Sequence, residues 1–93
     1  MHAMEAGHTY LVETMTWTYV ATVDEVLPLG VRFSAACKVP YLNDPEKFIR
    51  TGKFSSGDEA YPLPEGLYLP ALWIGPSIPF AHPVPTKRTH SEA

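Results

Sequence analysis

A single cysteine, Cys37, leaves no partner for an internal disulfide, so the fold has to rest on packing, and a reducing interior is the natural setting. Long apolar runs are missing too. None approaches the length of a membrane-spanning helix, and no membrane partner is expected. The opening residues, Met1-His2-Ala3-Met4-Glu5, lack the basic region and apolar stretch of a secretory signal. Basic residues are scarce: seven lysines and arginines stand against ten acids, the net charge is −3, and Lys87-Arg88 is the only adjacent basic pair. Without a basic stripe, nucleic acid is not expected as the main partner. The four histidines, His2, His8, His82 and His90, show no metal-ligand spacing, and there is no second cysteine to help them. No metal and no cofactor are expected.

Proline and large apolar residues are plentiful. The chain has ten prolines, crowded from Pro62 to Pro85, which forbids a long helix there. A hydrophobic fraction of 45% and an aromatic fraction of 12% in 93 residues fit one small folded domain rather than a disordered tail. The expected division is a loose lead-in over 1–8, a single β-rich domain over 9–85 and a polar tail over 86–93.

Thr9 to Val23 reads as one half-buried strand with period two. Met15, Trp17, Tyr19, Ala21 and Val23 share a face, Thr14, Thr16, Thr18 and Thr22 the other, and the phase blurs at Tyr10–Glu13, where a bulge or break is expected. Leu27-Pro28-Leu29-Gly30 reads as a type I turn with Gly30 at a positive φ. The next run alternates again: Val31, Phe33, Ala35, Cys37 and Val39 against Arg32, Ser34, Ala36 and Lys38. The two runs predict an antiparallel hairpin. Asn43 or Asp44 as cap, Pro45 at the first helical position and Gly52 as stop predict a helix of about two turns over Pro45–Thr51, with Phe48 and Ile49 buried. Ser55–Glu59 reads as an exposed loop. Pro70 makes the apolar run Leu67–Ile74 an edge strand or a bulged one. The fold class is therefore α+β, mainly β: a small twisted antiparallel sheet with one short helix and a proline-rich C-terminal end.

The threonine- and aromatic-rich strand from Val12 to Val23, its partner from Val31 to Val39, the Arg50-Thr51-Gly52-Lys53-Phe54 helix end, the Pro62–Gly66 turn and His82-Pro83-Val84-Pro85 follow in an order that resembles small uncharacterised proteins of bacteriophages and prophages. Cys37 and Lys38 depart from that pattern, where a Trp and an Asp are expected after the alanine pair. The resemblance implies a phage accessory protein and brings no active site with it.

Candidate chemistry is thin. Cys37 at an apolar strand position is expected to be a core thiol rather than a nucleophile. Asp24-Glu25 and Asp58-Glu59 border turns and are expected to be solvated acids, since neighbours in a strand point to opposite faces. No catalytic residue is expected, and the chain is not expected to be an enzyme; an unrecognised pocket is the remote alternative. The functional expectation rests on the crowding of apolar groups in the proline-broken region. Tyr68, Leu69, Trp73, Ile78 and Phe80 are the expected contact residues, on an open strand edge that offers backbone groups to a partner, with Ala81–Lys87 as its cover. The expected partner is a host enzyme or defence complex, inhibited in the host cytoplasm; the alternative expectation is a small virion component, and a homo-oligomer is a further option.

Overall fold

Alternation and turn chemistry produce a six-stranded, all-antiparallel sheet with one helix. The structure is a computed structural model that describes residues 4–89, so His2, His90 and the ends of the chain lie outside it. The elements are β1 (Thr9–Thr14), β2 (Thr18–Leu27), β3 (Gly30–Tyr41), α1 (Pro45–Thr51), β4 (Glu59–Leu63), β5 (Leu67–Pro70) and β6 (Ile74–Pro79), with a 3₁₀ turn at Ala71–Trp73 before β6. The strand order is β4-β3-β2-β1-β6, and β5 pairs with β3 beyond the end of β4.

The expected single strand from Thr9 to Val23 is instead a hairpin, and the break falls at Met15–Trp17 rather than at Tyr10–Glu13. Thr14 makes the turn. Its hydroxyl donates to the Trp17 carbonyl at 2.7 Å and accepts from the Trp17 amide at 3.0 Å, adding a side-chain bridge to the backbone bond from the Thr14 amide to the same carbonyl. Met15 and Trp17 consequently leave the buried face on which Tyr19, Ala21 and Val23 remain. Tyr10–Glu13 loses its clean phase for another reason: both faces of the sheet are covered. Tyr10 and Val12 enter one core with Tyr19, Val23, Phe33 and Leu69, while Leu11 enters a second with Val20, Cys37, Val39, Phe48 and Phe80.

The Leu27–Gly30 hairpin forms as expected, but Gly30 is not among the positive-φ glycines. Pro28 fixes a negative φ and Leu29 keeps one, so the turn is unprimed. The proline-x-glycine arrangement expected there occurs at Pro64-Glu65-Gly66, where Gly66 has φ 85° and donates to the Leu63 carbonyl. Gly30 serves close approach instead. A Cβ on it would lie 2.6 Å from the Leu69 carbonyl oxygen and run into the Tyr68 ring.

The alternation of β3 flips partway along: Phe33 and Ala36 share the first core, and Cys37 and Val39 turn to the second. Ser34 is an extra residue on β3 and Asp24 one on β2, flanking the Val23–Phe33 pair. Pro64–Gly66 loops out beside them, between the Leu63 and Leu67 pairings. Three irregularities on neighbouring strands thus fall in one line and bend the sheet there. The bend is required by the chain path. Pro70 pairs at the β3 border and Ile74 at the β1 border, which in a flat sheet lie four strand spacings, or at least roughly 19 Å, apart. Four residues reach about 14 Å at most. The sheet therefore coils until β5 and β6 approach, closing its concave side over the first core.

Helix α1 runs Pro45–Thr51 as expected. Asp44 accepts from the Lys47 amide, and Gly52 at φ 72° returns its N–H to the Phe48 carbonyl. Phe48 fixes the helix on the second core, stacked on Phe54 at 4.8 Å and tilted against Phe80 at 5.1 Å. The loop before β4 is not the solvated segment expected. Asp58 is 1% exposed, and its carboxylate accepts the amides of Asn43 and Ser55 at 2.6 Å each, tying both ends of the helical excursion together.

The described parts of the flanking segments are docked on the domain. The Gly7 amide donates to the Val23 carbonyl, the Val23 amide to the His8 carbonyl, and Met4 packs on the first core. At the other end Val84 packs on the second core and Thr89 exchanges two backbone hydrogen bonds with Ala60. The segment expected to cover β6 covers α1 and the β4 edge instead.

Candidate functional site

The sheet edges come first, because they were the expected contact. Antiparallel pairs alternate between residues that point both backbone groups at their partner strand and residues that point both away. The Phe80 amide donates to the Thr9 carbonyl, so in β6 Ile78 points at β1 while Ser77 and Pro79 point outwards. The Ala71 amide donates to the Leu29 carbonyl, which by the same count turns Tyr68 and Pro70 of β5 outwards. Ala60 points outwards to Thr89, and two residues on so does Pro62 of β4. Each edge strand thus carries a proline where an outward N–H would stand. The ladder loses nothing there, and an incoming strand finds no donor. Pro76 is the exception: it falls opposite Glu13, on the ladder side, and the β1–β6 register slips at that point. The edge of β4 is partly taken by Thr89, and those of β5 and β6 are poor templates for strand addition.

The apolar side chains divide sharply. Leu69 and Phe80, expected as contacts, are 2% and 5% exposed and belong to the two cores. Tyr68 and Trp73 are about half exposed, and Ile78 is 42% exposed on β6, away from the turn that carries the others. Two residues not among the expected contacts are also strongly exposed, Leu72 at 93% and Leu29 at 79%; Met15, on the distant β1–β2 turn, is 85% exposed. Leu29 and Leu72 belong together. The Ala71–Leu29 hydrogen bond of 2.9 Å seats the 3₁₀ turn on the tip of the β2–β3 hairpin, and Tyr68 lies against Gly30, the next residue of that tip. Val26, also half exposed, lies on the same hairpin end, opposite Val31. Leu29, Tyr68, Leu72 and Trp73 are thus exposed apolar residues on segments that meet at the hairpin tip. The signal was legible in part: a leucine between proline and glycine in a tight turn has nowhere to be buried.

Polar groups border this surface. A shallow groove of about 430 Å³ runs along the bend, lined by Asp24, Arg32, Ser34, Glu65 and Tyr68 among others. Arg32 binds Asp24 at 3.0 Å and also pairs with Glu25. The hydrogen bond that Arg32 donates to Asp24 and the charge of Glu25 push the guanidinium pKa further up. Asp24 and Glu25 are thus solvated, as expected, but engaged by a cation. Elsewhere Lys38 lies over the Trp17 ring at 4.4 Å and near Tyr61, whose ring also receives Arg88 at 5.1 Å. These contacts pin the C-terminal segment beside β4.

Cys37 is fully buried, and burial pushes its thiol pKa up to about 11. At neutral pH it is a protonated core side chain, which is the opposite of an activated nucleophile. Among the described residues no group of three histidine, cysteine or acidic side chains converges as a metal site, and no helix is long and apolar enough to cross a membrane. No protein-family model, curated protein or solved structure matches this chain.

Proposed function

We propose that this chain is a non-enzymatic binding protein that acts through side-chain contacts of the surface around Ala71–Trp73. The observation that carries the reading is the exposure of Leu29 at the hairpin tip and of Leu72 on the 3₁₀ turn hydrogen-bonded to that tip, in a sheet whose edges are blunted by proline. A small domain leaves scattered apolar atoms in water as a matter of course, but adjacent large side chains at a rigid tip match the centre of a protein contact. Prolines at outward positions argue that the contact is not an added strand. The resemblance to phage and prophage proteins supports an accessory role directed at a bacterial host protein, with a virion component as the alternative.

The test is affinity capture from bacterial lysate with wild type and with a Leu29→Ser/Leu72→Ser variant. Both side chains are solvent-facing, so the variant should melt like wild type and lose the captured protein. Retention of the same protein by the variant would remove this surface from the account. High copy number in purified phage particles would favour the virion alternative.

A further inference from the structure

We infer that the occupant of this surface is a basic, amphipathic segment of another protein, an inference that rests on the contact reading above. The argument is charge. Tyr68, which lies against the hairpin tip at Gly30, also lines a groove with Asp24 of β2 and Glu65 of the turn before β5, and Glu25 follows Asp24 in the strand. Arg32 is the one cation lining that groove and is already engaged by Asp24 and Glu25. Glu65 is exposed and forms no ion pair among the described residues. The rim is thus net negative while its neighbour is apolar.

A partner that buries Leu29, Tyr68 and Leu72 desolvates this rim, and an acidic or neutral partner would leave its carboxylates uncompensated. A second copy docked symmetrically would set Glu65 and the Asp24-Glu25 pair close to their own images, which is repulsive. A lysine or arginine side chain fits what is present: its charged end in the groove between Asp24 and Glu65, its stem along Tyr68. Apolar residues next to it then meet Leu29 and Leu72.

The experiment uses three fluorescent twelve-residue peptides built from Leu and Lys, Leu and Glu, or Ser and Lys, titrated with the intact chain at low and at physiological salt. The Leu/Lys peptide should bind at least about tenfold more tightly than either of the others. Glu65→Lys should weaken it roughly three- to tenfold, an effect that salt reduces. Leu29→Ser/Leu72→Ser should abolish binding with no change in the melt. Equal binding of the Leu/Lys and Leu/Glu peptides, lost in the Leu29→Ser/Leu72→Ser variant, overturns the basic partner but keeps the contact surface. Binding of no peptide, or binding indifferent to that variant, overturns both.

Discussion

Individual residues carry roles here that their types alone do not disclose. Gly30 is the clearest. Its turn needs no left-handed backbone, yet β5 passes so near that a side chain has no room. Gly30→Val should therefore destabilise the domain by about 2 kcal/mol or more, through overpacking against Leu69 and Tyr68 rather than through strain in φ. A chemical denaturation curve unchanged by the substitution would show that β5 can withdraw at no cost. Cys37 gives a pH prediction. The folded chain holds the thiol proton up to about pH 11, above its ordinary value of 9.0, so folding binds the proton more tightly. The stability this brings is complete below pH 9 and falls as pH rises towards 11. Wild type should lose on the order of 1 to 2 kcal/mol more than Cys37→Ala across that window. Parallel urea melts at pH 8 and pH 11 check it, and equal losses would refute a thiol buried in its neutral form. The same burial predicts slow labelling of the native thiol at pH 8.

At the scale of elements, what was legible followed from local chemistry. Pro45 and Gly52 bracket α1 as capping rules require, and Leu27–Gly30 joins two alternating runs. What was not legible came from devices with no composition signature. The Thr14 turn contains no glycine, proline or asparagine and reads as strand, because threonine suits both. Ser34 and Asp24 are bulged only because their neighbours pair across them, which a single strand does not reveal. Asp58 looks like a loop acid until Asn43, 15 residues away, brings its amide to it. The prolines were visible as strand breakers, but whether each faced its ladder or solvent depended on register. That distinction is testable. Pro62→Thr/Pro79→Thr restores an outward donor on two edges and should raise self-association in sedimentation velocity while leaving the melt within about 0.5 kcal/mol of wild type. A variant that stays monomeric at high concentration would mean that something other than proline protects the edges.

The whole molecule is a sheet coiled tightly enough that a 3₁₀ turn spans from one border to the other. That coil buries Leu69 on one side and, with α1, Phe80 on the other, and it pushes Leu72 out of the protein at the crossing. Of the contact residues expected from the sequence, Leu69 and Phe80 are core residues, because exposure at a crossing depends on how far the sheet curls. Partners are expected to meet side chains at this crossing and not the backbone of an edge. Photo-crosslinking tests this most directly, with a photoreactive residue at Leu72 in one variant and at Ser77, on the outward edge of β6, in another. Irradiated in bacterial lysate, the Leu72 position should give a discrete adduct and the Ser77 position none. An adduct from Ser77 with none from Leu72 would contradict the account and return the contact to the sheet edge.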